Sequence, residues 1–243
     1  HTFLGDDPEL AALAARHGAT IRDLRRVPDD LPVAARRAAS VEATVVLTVG
    51  TDCNVGKMTA AVELTRAARR LGHRAVFAPT GQTGLFLDGR GLVVDRVIAD
   101  FIAGAAEQIV LDNAPGQDFV FVEGQGSLLH PGYSGVTLGL LHGSQPDAQI
   151  LVHQPTRTRT LNDELPIMPL PEWVALHEQL AGYLKPAPVA GIAINGFDLD
   201  EAAARDWAAR IEAETGLPAI DPVKFGAEPL VGAIQARVGA LCR

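Results

Sequence analysis

Apolar residues along this chain fall into two patterns that alternate from one end to the other. Short unbroken runs, rich in β-branched and aromatic side chains, occupy Thr44–Thr48 (TVVLT), Phe119–Val122 (FVFV), Gln149–Val152 and Val189–Ile194. A run with no polar alternation suits a strand buried on both faces, as in a parallel sheet. Arg74–Ala78 and Pro218–Ile220 read as further strands. Between them lie segments with apolar residues every three or four positions: Lys57–Leu71 (stopping at Gly72), Asp95–Leu111, Pro171–Leu184, Glu201–Thr215 and Glu228–Leu241. Those spacings predict helices. Pro8–His17 also reads as a helix, capped by Asp6 or Asp7 and ended by Gly18. Thr20–Leu24 predicts a short strand, and Leu85–Val94 a small hairpin around Asp88-Gly89-Arg90-Gly91. Arg25–Ser40, proline-containing, charged and aperiodic, reads as a linker.

Strand–helix alternation of this kind predicts an α/β fold: a mostly parallel, doubly wound sheet with helices on both faces, a three-layer sandwich of the P-loop NTPase-like sort. Ligands of such sheets sit beyond the carboxyl ends of the strands. The unusual polar stretches, GTDCNVGK, PTGQTG, EGQGS, HQPTRTR, NGFD and DPVKFG, all fall in loops at those ends.

The most telling of them runs from Gly50 through Thr51, Asp52, Cys53, Asn54, Val55, Gly56, Lys57 and Met58 to Thr59, directly after the TVVLT run and into a helix. Glycines at 50 and 56 let the backbone curl so that successive N–H groups point at an anion; the helix N-terminus and the Lys57 ammonium add positive charge. Five residues separate the two glycines, one more than in the Walker loop. The position after the lysine, where a Ser or Thr hydroxyl would hold magnesium, carries Met58, a soft and poor ligand for that ion. Thr59 replaces it only if the loop shifts by one residue. The loop therefore suits a pyrophosphate that is gripped and left intact.

With 243 residues, 47% hydrophobic and 21% charged, the chain can bury a sizeable core. A formal net charge of −8 argues against a general nucleic-acid binder. No apolar run approaches the roughly 20 residues of a membrane span. Cys53 and Cys242 lie far apart without a CxxC partner, so a metal site is not expected and a reducing, cytoplasmic setting fits. The first residue is His1, and HTFLGDDPEL reads like a helix start already inside a fold, an expectation of sequence upstream.

GTDCNVGKMT resembles the GTDTxVGKT loop of dethiobiotin synthetase and related P-loop proteins, and EGQGS resembles that group's VEGAGG. AIN at the end of the Val189 run resembles its nucleobase-reading asparagine, which makes Asn195 a candidate to face a purine. The same loop taken with PTGQTG, VDRVIADFIAGAAE, VEGQGSLLHPGYSGVTLGLLHGSQPDA and DPVKFG resembles the D-glutamate N-acetyltransferases from His1 to near the C-terminus. That resemblance implies a Rossmann-like N-terminal domain represented here by its tail, residues 1–36, followed by a P-loop domain, residues 37–243. It also implies acetyl transfer from acetyl-CoA to the amine of D-glutamate or a related acidic amino acid. The alternatives are an ATP-dependent ligase or kinase of the dethiobiotin synthetase type, which alone would call for magnesium, and a non-catalytic nucleotide-binding module. The expected partners are a small acidic amino acid and further copies of the chain in a homo-oligomer, with no nucleic acid and no membrane.

Acetyl transfer to an amine calls for a base, oxyanion donors and cations for substrate carboxylates. Glu123, at the end of FVFV, is a candidate base or ammonium ligand by its place at the ligand edge. Asp100, a carboxylate inside VIADFIAG, is a second candidate base, with a salt bridge as its plain alternative. Asp23, in the region where the resembled family joins its two domains, is a third, against a surface salt bridge. Gly124 and Gly126 offer backbone donors, with Gln125 and Ser127 beside them as candidate substrate ligands. Thr80, Gln82 and Thr83 sit in a tight loop suited to a small polar ligand. Arg157 and Arg159 match a dicarboxylate by charge and geometry, or form a solvated basic loop.

Overall fold

In the computed structural model, residues 2–161 and 165–241 are described; Cys242 lies outside them. Six strands, β1 (Thr44–Gly50), β2 (Ala75–Ala78), β3 (Phe119–Val122), β4 (Ala148–His153), β5 (Val189–Ile194) and β6 (Ala219–Ile220), form one sheet in the order β2-β3-β1-β4-β5-β6. Every pairing is parallel. Parallel neighbours need a crossover, and helices supply it: α2 (Lys57–Arg70), α4 (Ala99–Asn113), α6 (Leu170–Gly182) and α7 (Glu201–Thr215), with α9 (Glu228–Leu241) after β6.

The strands are buried on both faces, and alternate side chains enter two cores. Val45, Leu47, Val49, Val120 and Val122 pack with Ile109, Leu140, Leu141 and Trp173 on one side. Val46, Phe77, Phe121 and Ile150 pack with Leu64, Ala67, Leu230 and Ile234 on the other. This is the doubly wound, three-layer P-loop-type arrangement expected from the alternation of elements.

Three local expectations are corrected. Residues 20–24 form no strand: β2 and β6 end the sheet, and this segment pairs with neither. The expected hairpin at 85–94 is instead a helix, α3 (Gln82–Asp88), closed by Gly89 in the left-handed conformation (φ 80°), whose N–H donates to the Leu85 carbonyl at 2.8 Å. The Asp-Gly dipeptide serves there as a helix stop. The chain then returns against Pro79, where a Cβ on Gly91 would lie 2.1 Å from the Pro79 oxygen. The helix expected from Asp95 begins at Ala99.

Two helices carry no periodic signal, α5 (Ser134–Ser144) and the short α8 (Pro222–Phe225). α5 is glycine-bearing because it packs hard onto α4: a Cβ on Gly139 would meet Ile102 Cγ2 at 2.3 Å, and one on Gly143 the Ala103 oxygen at 2.1 Å. Ahead of the sheet, α1 (Pro8–Arg16) starts at Asp7, whose side chain accepts from the Glu9 and Leu10 amides. The stretch that follows is fastened to α4 by the wholly buried Glu107, which accepts from the Ala35 and Arg37 amides and the Arg37 guanidinium.

Candidate active site

At the carboxyl end of β1 the chain turns through Gly50–Gly56 into α2. Asn54 (φ 53°) and Gly56 (φ 103°) take the left-handed conformation that the curl requires. A Cβ on Gly50 would lie 2.8 Å from Val55 and 3.0 Å from Lys57 Nζ, so the loop closes only over glycine. Lys57 points inward, its Nζ donating to the Asp52 carbonyl at 2.8 Å. Burial pulls its pKa down from 10.5 to about 8, helped by the nearby Arg157 charge and opposed by Cys53, Asp52 and Glu123.

The loop is held from beneath. Thr51 Oγ1 pairs with His153 Nδ1 at 3.0 Å, and burial drops that imidazole to about 4, keeping it neutral. The Asp52 carboxylate, with no exposure, accepts from the Cys53 amide (2.7 Å), Arg157 Nη1 (2.9 Å) and the Leu161 amide (2.6 Å). Arg157 Nη1 also donates to the Cys53 carbonyl at 2.7 Å. Arg157 therefore braces the phosphate loop, and Arg159 is exposed, its backbone bridged to Pro166. Neither arginine lines the cleft above the loop.

That cleft, of about 630 Å³, is bounded by Cys53, Asn54 and Gly56–Thr59 on one side and Gly81–Thr83 on another. Glu123–Gly126 form its floor, and Tyr133, Asn195, Arg25 and Asp95 its rim. Glu123 follows β3 directly. Its Oε2 accepts from the Thr80 (2.9 Å) and Gly81 (3.1 Å) amides, and its Oε1 has no hydrogen-bond donor among the described residues. Burial raises its pKa from the ordinary glutamate value, against the pull of those amides and of Lys57. One oxygen is thus fixed, and the other is available to a proton.

Thr80 is buried, its hydroxyl donating to the Glu123 carbonyl (2.8 Å) and its own carbonyl accepting from Gln125 Nε2. It shapes the Glu123 turn from below, whereas Gln82 and Thr83 reach the cleft at the start of α3. Gly124 spends its N–H on Thr48 Oγ1 (2.9 Å) and lies so close to β1 that a Cβ would sit 1.6 Å from the Thr48 oxygen. Its N–H is therefore used within the fold and is not offered to a ligand. Ser127 is buried beneath the floor and does not line the cleft. Asp100 is exposed in the first turn of α4, also outside it. Asp23 accepts from the Leu4 and Gly5 amides, both at 2.9 Å, and lines a separate cavity that shares Arg25 and Gln82 with the cleft.

On the far side of the loop, a cavity of about 240 Å³ lies between Val55, Ala60, Val152, Ala193, Phe197, Pro222 and Val223. Asn195 opens onto both this cavity and the cleft. The Asp221 carboxylate, at its base, is saturated by the Gly196, Val223 and Lys224 amides. Arg25 lies outside the motifs that marked the site, and only folding brings it there; Tyr133, Phe197 and Val223 stand within quoted stretches but carry no signal of their own that singles them out. Among the described residues, no helix is long and apolar enough to cross a membrane.

Residues 32–231 match the family model described as "Domain of unknown function (DUF1611_C) P-loop domain". A D-glutamate N-acetyltransferase of Tritonibacter scottomollicae is 40% identical over 242 residues, spanning 97% of this chain and 71% of that protein. A second protein of the same name, from Pseudoalteromonas sp, is 35% identical over 235 residues, 95% of this chain and 69% of the relative. The crystal structure of a DUF1611 family protein from Anabaena variabilis is 46% identical and superposes with a TM-score of 0.93, covering 97% of this chain and 69% of that one. With a family model matching most of its length and such relatives aligned along nearly all of it, the chain belongs to the DUF1611 family with its D-glutamate N-acetyltransferases, and is an N-acetyltransferase.

Proposed function

We propose that this chain moves the acetyl group of acetyl-CoA onto the amine of D-glutamate or a closely related acidic amino acid. The observation that carries the reading is one shared cleft. A phosphate loop with an inward lysine, and with Met58 where a magnesium hydroxyl ligand would stand, faces a buried carboxylate with one undonated oxygen, Glu123. Coenzyme A supplies a pyrophosphate that is bound and not cleaved. The backbone amides of the loop and Lys57 would hold that group. The apolar cavity beside Asn195, between Phe197 and Val223, has the walls for its adenine.

In this reading the Glu123 carboxylate takes the proton from the acceptor ammonium. The freed nitrogen then forms the N–C bond to the acetyl carbonyl carbon as the C–S bond breaks, and coenzyme A leaves as a thiolate that takes up a proton. Burial raises the Glu123 pKa, which makes it a stronger base than an ordinary carboxylate. The names of the two curated relatives support both the transfer and D-glutamate as acceptor.

The test is release of free thiol from acetyl-CoA, screened across D- and L-amino acids, with calorimetric titrations of coenzyme A and Mg·ATP run in parallel. Thiol release with D-glutamate and binding of coenzyme A without magnesium are expected. Magnesium-dependent phosphate release from ATP, with no thiol from any acceptor, overturns the proposal.

A further inference from the structure

The cleft does not end at its rim. Its lining is shared at one end with the apolar cavity, through Gly56, Thr59 and Asn195, and at the other with a cavity of about 290 Å³ beside residues 2–4, through Arg25 and Gln82. The three form a series, with the phosphate loop and Glu123 in the middle. On the proposed reading, the adenine end of the donor occupies the first. The acceptor then has to approach Glu123 from the third.

Arg25 stands at that junction. Its side chain is three-quarters buried, and Nη1 donates to Asp95 Oδ2 at 3.0 Å. Its Nε is buried with no acceptor among the described residues. A guanidinium offers two edges, and here the side carrying Nε is unmatched. An orphaned donor of this kind is costly until an acceptor reaches it. The Asp95 pair is partly exposed, so it contributes little on its own and gives way readily to a competing carboxylate. Among the other cations near the series, Lys57 is turned into the phosphate loop and Arg157 is committed to Asp52 and the Cys53 carbonyl. Arg22 lines the outer cavity, but does not reach the cleft. Asp95, with Glu123 on the cleft floor, supplies negative charge for an ammonium.

We infer that Arg25 is the carboxylate anchor of the acceptor amino acid, and that the cavity it shares with Gln82 is the acceptor subsite. This rests on the acetyl-transfer reading and adds to it the end of the cleft from which the amine arrives. A planar fork suits a carboxylate in a way that an ammonium does not, so the site selects acidic acceptors through geometry as well as charge.

The experiment compares wild type, Arg25→Gln and Arg25→Lys in the full chain. Steady-state KM for D-glutamate and for acetyl-CoA would be measured, together with calorimetric Kd for each ligand alone. In Arg25→Gln, KM and Kd for D-glutamate are expected to rise at least tenfold, those for the donor to stay within twofold, and the thermal midpoint to hold. Arg25→Lys should fall between, because it keeps the charge and loses the fork. An unchanged D-glutamate KM in an active Arg25→Gln enzyme would overturn the assignment. So would a selective loss of coenzyme A affinity, which would make the bound anion a donor phosphate. Absence of thiol release from the wild type, with any acceptor, would instead count against the acetyl-transfer reading itself.

Discussion

Glu123, Lys57 and Arg157 divide the work of the site between a proton, a phosphate and a brace. Glu123→Gln keeps the size and loses the base; turnover should drop about 10²–10⁴-fold while coenzyme A affinity is retained, measurable by thiol release and calorimetry. Because burial raises the Glu123 pKa, its ionised fraction falls as the solution is acidified toward that value. The rate should therefore decline on the acidic side at a higher pH than an ordinary carboxylate would give, and Glu123→Gln should abolish that limb. Lys57 has the opposite sign. Its folded pKa of about 8 lies below the ordinary 10.5, so between those values the unfolded chain binds the extra proton, and for this group folding is favoured as pH rises. An anion in the loop favours the charged form. Coenzyme A binding should thus take up protons near pH 8 and weaken above it, seen as a buffer-dependent calorimetric heat. Arg157→Gln leaves the buried Asp52 carboxylate without its cation. A broken buried pair costs about 3–5 kcal/mol, so a lowered thermal midpoint and weaker coenzyme A binding are expected, with the acceptor KM changed less.

The α4–α5 contact shows how an element can be dictated by its neighbour. Gly139 and Gly143 let α5 approach to where side chains would strike Ile102 and the Ala103 carbonyl. Since Gly143 would meet backbone, Gly143→Ala should separate the helices and destabilise the protein by about 1–3 kcal/mol, read from chemical denaturation. On propensity alone the same change would stabilise a helix, so the sign of the result isolates the packing term. The segments that depart from their local pattern do so for the same reason. Leu85–Val94 carries turn residues that a hairpin or a helix stop can use equally, and the contact with Pro79 selects the stop. Thr20–Leu24 has strand composition, but its strand would need a partner that the six-stranded sheet does not provide.

At the scale of the whole molecule, a parallel sheet gathers the carboxyl ends of β1, β3, β4 and β5 at one edge. Residues as distant as Lys57, Glu123, His153 and Asn195 thereby become neighbours. Much of this was legible in the chain alone. Buried parallel strands declare themselves as unbroken apolar runs, and a phosphate loop does so through glycines and a lysine at fixed spacing, because both are short-range consequences of backbone geometry. The placement of Glu123 in the cleft followed from its position at a strand end. The rest depended on contacts between segments far apart in sequence. Arg157 and Arg159 lie two residues apart with the same charge, yet one braces Asp52 and the other is exposed. Arg25 sits in a stretch without regular structure that folding carries to the rim. Local pattern determines which segments are strands, helices and anion-binding turns. Only tertiary packing decides which charged groups find partners and which keep a donor or acceptor for a ligand, because that depends on what the rest of the chain brings within hydrogen-bonding distance.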